Sequence, residues 1–344
     1  MAEMAPEMIR ESCDFLVVIP TCARPLLLAE AIESALGQTG ATKKVMVVDD
    51  CPDGSAQAVA KRFASAGVAY LRHPRPTGGW PGRVRNFGFA AARATGIEAD
   101  FIHFLDDDDV AAEGFYAAAK RAFAAHPRLA VVFGVLEPFC DPSPDADVRR
   151  LQQIQLSQAR RWRTNAARVA RLYQRVGGAL GQSWVTQGLF ALQSMFGPEL
   201  FLCSGGVIRQ RSLTGLGGFD PRYRLMEDHE FYTRAIRSGG VHFLDQVCAF
   251  YRLGRADSLW GPIGIDDQSR IEREAEIART LRARQRDIRR ETDNRFIHLA
   301  LKLAWRGAVQ VAAYGALAKA GLAGAERPAG AAPDGSAGAA APSK

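Results

Sequence analysis

Five short apolar runs recur through the first part of the chain, and their spacing limits the fold more than any other feature. They are "DFLVVIP" (14–20), "KVMVVD" (44–49), "VAYLR" (68–72), "FIHFL" (101–105) and "LAVVFGV" (129–135). Between them lie longer stretches with helical spacing, including Leu26 to Gly37, Ser55 to Ala66 and Val84 to Thr95. Strands that are apolar nearly throughout must be covered on both faces, and helices alternating with them supply that cover. The expected fold class is therefore α/β, a Rossmann-like, mostly parallel sheet with helices on both faces, followed by C-terminal helices.

In an open parallel sheet, ligands bind outside the carboxyl ends of the strands. Thr21 follows the first run, Asp49 and Asp50 end the second, and Asp106, Asp107, Asp108 and Asp109 follow the fourth. These polar groups are expected on one rim. Like charges at contact distance repel by about 1 kcal/mol per pair even in water. One aspartate suffices to cap a helix, here the stretch "AAEGFYAAAKRAFAAH" (111–126), and the others gain nothing from that role. A divalent cation such as Mg²⁺ or Mn²⁺, held by one or two carboxylates plus substrate phosphates, relieves the repulsion. "VVDD" is weaker by itself, because an aspartate at a strand end often opens an Asx turn.

The balance of charge agrees with an anionic ligand: 344 residues carry a formal +7. The six cysteines are scattered without a CxxC pair, as expected for reduced thiols in a cytosolic protein. The opening "MAEMAPEMIRESC" has neither the basic start nor the apolar run of a signal peptide, and no stretch reads as a transmembrane helix. From Val148 to Pro198 there is no Asp or Glu, yet Arg149, Arg150, Arg160, Arg161, Arg163, Arg168, Arg171 and Arg175 fall there. The expected organisation is a flexible N-terminus (1–13), a main α/β domain (14–260) with a basic helical insertion (148–198), C-terminal helices (261–320) and a disordered Ala/Gly/Pro tail (321–344).

The motifs "VVIPTCARP", "SALGQT", "VMVVDDCPDGS", "RVRNFGFAAA", "FIHFLDDDD" and "GGFDPRY…MEDHEF", taken together and in order across residues 14 to 255, resemble the family-2 glycosyltransferases of the GT-A fold. The resemblance implies inverting, metal-dependent transfer of one sugar from a nucleotide-diphosphate sugar, UDP-linked for preference, to a carbohydrate or lipid-linked acceptor. It also implies roles. Thr21 and Asp50 match nucleoside-contacting positions, Asp50 facing the base. Asp106 and Asp107 match positions near the ribose, and Asp108 the metal-binding end of a D-x-D motif. Asp109 matches a supporting partner or the helix cap, Arg85 with Asn86 an "RN" near the diphosphate, and Asp228, with Glu227 beside it, the catalytic base. A base for the acceptor proton and charge on the departing diphosphate are what one in-line displacement needs.

Two departures stand out. Relatives of this type carry a histidine in the loop after the last strand, where this chain has "YRLGRADSLW", leaving Arg255 or Asp257 as substitutes. The QxxRW motif of processive synthases is absent, which favours single-sugar transfer.

Other signals have competing explanations. "TGGWPGRVRN" (77–86) suggests an anion-binding turn, against a solvated helix start for Arg85. "CSGG" (203–206) suits either an acceptor-lining segment or a tight strand bend. His229, beside Asp228, reads as a surface residue in preference to a proton shuttle. Asp106, Asp108 and Val110 also satisfy the D-x-D-x-V loop of haloacid-dehalogenase-type phosphotransferases, and "VVDD" that of a non-catalytic nucleotide-binding module. The arginines of 149–175 read as a solvated face or as phosphate-binding groups. Nucleic acid is disfavoured for want of a recognised motif. The stretch 296–320, with Trp305, suits docking on the catalytic domain, a second copy in a homodimer, or a membrane interface. Peripheral contact with the cytoplasmic membrane face follows as an expectation.

Overall fold

The computed structural model describes residues 11–181, 183–258 and 267–291, which lie within one compact unit. Most of the N-terminal segment, the stretch 296–320 with Trp305 and the tail from 321 lie outside the described residues.

Strand β1 (Glu11–Thr21) is the axis of the sheet. Its side chains alternate between two cores: Phe15, Val17 and Ile19 face one layer of helices, Leu16 and Val18 the other. On one side β1 pairs in parallel with β2 (Lys43–Asp49), and β2 with β3 (Val68–Arg72). On the other it pairs in parallel with β4 (Ile97–Phe104). Helix α1 (Pro25–Leu36) covers the first face through Leu28, Ala31, Ile32 and Ala35. After the short α2 (Gln57–Arg62), helix α3 (Pro81–Ala94) covers the second face. A Cβ on Gly88 of α3 would fall 2.5 Å from Val48 and 2.8 Å from Val18, so glycine is what lets α3 press onto β1 and β2.

Beyond β4 the sheet reverses. Its neighbour β7 (Gly206–Arg209) is antiparallel, and β7 pairs again antiparallel with β6 (Val131–Cys140). Strand β8 (Val241–Leu253) returns parallel to β6, and the two-residue β5 (Val110–Ala111) closes the edge. The order is β3-β2-β1-β4-β7-β6-β8-β5. The sheet is mixed and mostly parallel, with helices on both faces, as expected.

The aspartate run does not open a helix. Val110 and Ala111 form β5 against β8, and α4 (Phe115–Ala125) starts only after Gly114, whose φ of 75° ends the extended segment. The helical spacing of 111–126 is true from Phe115 onward, but Asp109 caps nothing. The acid-free stretch forms a hairpin of two helices, α5 (Ala146–Ala179) and α6 (Ser183–Phe196). Then come α7 (Gln210–Leu216), α8 (Glu227–Gly239) and the arginine-rich α9 (Asp267–Glu291).

Candidate active site

The carboxyl ends of β1, β2, β4 and β8 lie on one rim with the start of β7. The antiparallel register that sets His103 opposite Val207 also brings Ser204 to Asp106, whose backbone N–H donates to Ser204 Oγ at 3.1 Å. Below them, buried His103 accepts from Tyr116 at Nδ1 (2.7 Å) and donates from Nε2 to the Ser204 carbonyl (2.9 Å). A carbonyl can only accept, so the tautomer is fixed. Burial holds this imidazole down at about 4, so it stays neutral.

The four aspartates are compensated one by one. Asp106, partly exposed, pairs with Arg85. Asp107 accepts from Thr21 Oγ1 at 2.6 Å and from Arg24 at 3.0 Å. Asp108 meets the same Arg24 nitrogen at 2.9 Å. Asp109, fully buried, accepts from the Arg252 backbone N–H at 3.0 Å, while the Arg252 side chain donates to the Asp108 carbonyl at 2.8 Å. Burial, then repulsion from Asp107, pushes Asp108 up to about 7, with Arg24 opposing. Burial likewise raises Asp107 and Asp109 above the usual carboxylate range.

Arg85 joins this run to the second acidic motif. Its guanidinium, 4% exposed, pairs with Asp106 on one side and donates to Glu227 at 2.6 Å on the other. It lies in the first turn of α3, whose Gly82 leaves room for Glu227 and Phe219. The solvated-helix-start reading of Arg85 is thereby overturned: its charge is buried between two carboxylates. Neighbouring Asn86 clamps the Phe219 backbone, donating to its carbonyl at 2.7 Å and accepting its N–H at 2.8 Å. The "RN" dipeptide thus fixes both the carboxylates and the "GGFD" loop.

Glu227 and Asp228 occupy the first turn of α8, where the positive end of the helix favours acids. Burial, with repulsion from Asp228, pushes Glu227 up to about 7 against the pull of Arg85. Burial also raises Asp228; Arg85 opposes, while Glu199 and Asp106 add to the rise. Asp228 is therefore within electrostatic reach of the aspartate run. Among the described residues, two non-glycines have positive φ, Ala23 (58°) and Met226 (61°). One precedes Arg24 and the other precedes Glu227. Strain of about 1–3 kcal/mol per residue tends to collect where function needs a fixed turn.

The two aspartates of "VVDD" part company. Asp49 is structural, accepting from Cys51 N–H, Ala56 N–H and the Tyr70 hydroxyl at 2.9, 2.9 and 3.0 Å. Asp50 accepts from the Thr77 N–H (2.7 Å) and hydroxyl (2.6 Å), which tie it to the glycine-rich loop before α3. Next to that loop, Arg83 of α3 donates to the Pro221 carbonyl, and Arg224 donates to the Gly79 carbonyl of the loop and pairs with Glu276. Gly206 lies where a Cβ would strike Phe201 at 2.6 Å, so in "CSGG" it serves the tight bend.

His229 is not a surface residue. Its side chain is nearly buried, with Nδ1 2.7 Å from Glu199 and 2.9 Å from Arg284 of α9. Although burial pulls the other way, His229 and Arg284 hold the Glu199 carboxyl down at about 2. Arg24 and Arg252 carry no expected role from the sequence, and Ser204 enters only as part of "CSGG". The available signal for Arg24 was its place in the polar turn directly after β1. Asp257, proposed for the missing histidine, accepts from Arg24 at 3.1 Å and Arg255 at 2.9 Å.

Residues 16–177 match the model of Glycosyl transferase family 2. The minor teichoic acid biosynthesis protein GgaB of Bacillus subtilis (strain 168) is 31% identical over 116 residues, 33% of this chain and 12% of that protein. The succinoglycan biosynthesis protein ExoO of Rhizobium meliloti (strain 1021) is 34% identical over 129 residues, 37% of this chain and 35% of that one. The matched stretches thus span a minor part of both relatives. Among solved structures, S. aureus TarS 1-349 in complex with UDP-GlcNAc superposes with a TM-score of 0.50 at 15% identity, over 79% of this chain and 66% of that one, a likeness of fold. No described helix is long and apolar enough to cross a membrane. The phosphotransferase reading is set aside: residues 16–177 match a family-2 glycosyltransferase domain, and the fold is that of the GT-A glycosyltransferases.

Proposed function

We propose that this chain is an inverting glycosyltransferase that moves one sugar from a nucleotide-diphosphate sugar to an acceptor hydroxyl in glycan or glycolipid assembly. The observation that carries the reading is Arg85, which holds Asp106 and Glu227 in one cleft and so brings the nucleotide side and the base side together. The relatives' part in teichoic acid and succinoglycan biosynthesis supports the product class. The UDP-GlcNAc complex of TarS supports a UDP-linked donor.

The nucleoside lies against Thr21, Asp50 and Asp107. Two of the roughly four lone-pair sites of the Asp50 carboxylate are used by Thr77. The remainder can accept the ring N–H of uracil, the chemical basis for a uracil preference. Asp228 takes the proton from the acceptor hydroxyl as that oxygen bonds to the anomeric carbon; the bond to the diphosphate breaks on the opposite face, and the nucleoside diphosphate leaves. The raised affinity of Asp228 for protons strengthens it as a base.

Mg²⁺ or Mn²⁺ fits the donor set at Asp108. It is all oxygen, and Arg24 already stands in as a counter-cation there. Asp108 would hold such an ion, with the donor's diphosphate oxygens supplying further ligands. Bound there, the ion supplies positive charge against the departing diphosphate.

The test is a screen of nucleotide-sugars for nucleoside diphosphate release with Mn²⁺, followed by Asp228→Asn on the donor found. The variant keeps donor affinity while turnover falls by about 10²–10⁴-fold. Lost donor affinity with turnover of bound donor intact would move the base elsewhere, and phosphate release from a phosphomonoester without nucleotide-sugar turnover would overturn the reaction class.

A further inference from the structure

The α5–α6 hairpin sorts its arginines into two sets. Arg163 and Arg171 hold α5 to the sheet through Glu137 and Asp245. Arg161, Arg168 and Arg175 project from the other side and are exposed, together with Arg150 and Ser157. The positions 150, 157, 161, 168 and 175 are separated by seven, four, seven and seven residues, so they fall on one line along the helix. The opposite line, Gln152, Ala166, Ala170 and Gly177, is buried. From Arg150 to Arg175 the line runs about 38 Å at 1.5 Å per residue. No Asp or Glu occurs between Val148 and Pro198, and Arg161 and Arg168, in the middle of the line, have no carboxylate partner among the described residues.

Exposed apolar groups lie beside this basic line and at the turn of the hairpin. Leu172 is 55% exposed, Leu180 58% and Trp184 70%. On α6, Trp184, Gly188 and Leu192 follow at four-residue spacing on one exposed stripe. Large side chains exposed next to arginines do not suit a plain solvated face, where lysine and glutamate would be mixed.

We infer that the exposed face of the α5–α6 hairpin, Arg150, Arg161, Arg168 and Arg175 with Leu172, Leu180 and Trp184, docks on an anionic lipid surface. A bilayer interface provides both halves of the complement: phosphate for the arginines, and an acyl boundary for leucine and tryptophan. A soluble polyanion or nucleic acid meets the arginines but leaves the apolar tip exposed. The sequence places membrane contact on the arginine-rich stretches 149–175 and 266–295 together with the apolar stretch 296–320; the structure narrows the first of these to one exposed line of arginines and joins it to Leu172, Leu180 and Trp184. This proposal goes beyond the reaction assigned above and does not depend on it.

Co-sedimentation of the full chain with phosphatidylglycerol/phosphatidylcholine vesicles, at low and high salt, tests the proposal. Binding is expected to anionic but not to pure phosphatidylcholine vesicles, and to weaken with salt. Each basic residue near the leaflet is worth roughly fivefold in partition, so Arg161→Gln with Arg168→Gln should lower binding roughly 25-fold. Leu180→Ser with Trp184→Ser should also lower it and abolish the blue shift of tryptophan emission on vesicle addition. The side chains are exposed, so melting temperatures should stay at the wild-type value. Failure to bind anionic vesicles at low salt overturns the proposal. So does binding that neither double variant changes, or heparin binding as tight as vesicle binding and indifferent to Leu180→Ser with Trp184→Ser.

Discussion

Arg85 and Arg24 both bring a guanidinium to the aspartates after β4, yet one is built in and the other is poised to leave. Arg85 rises from α3, which Gly88 lets press onto β1 and β2, and its head is sealed between Asp106 and Glu227 with 4% exposure. Arg24 comes from the short turn between β1 and α1, follows the strained Ala23, and is 16% exposed. Its partners Asp107, Asp108 and Asp257 belong to the rim and to the loop after β8. A buried ion pair with several partners is a fixed part of a site, because removing one member strands the rest. A rim arginine that shares one nitrogen between two carboxylates can be exchanged for another cation. Under the proposed function, Arg85 belongs to the frame between Asp106 and Glu227, and Arg24 stands where a divalent ion would bind.

The largest expected effect comes from breaking the frame. Arg85→Met leaves Asp106 and Glu227 facing each other in a buried site and should cost about 3–5 kcal/mol in denaturant unfolding. A loss below about 1 kcal/mol would show that Arg85 is no more built in than Arg24. A smaller effect is expected one turn further along α3. Gly88→Ala puts a methyl 2.5 Å from Val48 and should cost about 1–3 kcal/mol through overpacking. Because it lifts the helix that carries Arg85, turnover should fall with stability; full turnover in a destabilised variant would uncouple the two.

The smallest effect on the fold is expected at the exchangeable arginine. Arg24→Ala should change stability less than Arg85→Met does, since the released Asp108 can take up a proton near neutrality. Mn²⁺ affinity of the donor-free protein, read by electron paramagnetic resonance, should rise because a competing cation is gone. Unchanged or weaker Mn²⁺ binding would make Arg24 a partner of the site and not a stand-in.

What was legible in the sequence follows the range of the forces involved. The strand–helix alternation, and with it the convergence of Thr21, Asp50 and the aspartate run, came from local hydrophobic periodicity. The reversal at β7 did not, because the four residues "GVIR" read the same in either direction. The helix after the aspartates was started four residues early: alanines on both sides of Gly114 share helical spacing, and only pairing with β8 makes Ala111 a strand residue. Asp49 and Asp50 are identical in type and adjacent; the two-residue period of β2 sends one to Tyr70 and the other to Thr77. Arg24 meets Asp107 across 83 residues and Asp257 across 233. His229 owes its burial to Glu199 and Arg284, from other elements. Such contacts are properties of packing, and no spacing in the sequence encodes them.

The central claim, that the rim around Asp108 is a divalent cation and nucleotide-sugar site, is tested most directly by calorimetry of UDP binding with and without Mn²⁺, in the wild type and in Asp108→Asn. The account predicts that Mn²⁺ tightens UDP binding in the wild type and has little effect in Asp108→Asn, while the two proteins bind alike in EDTA. Equal enhancement by Mn²⁺ in both proteins, or none in the wild type, would contradict it.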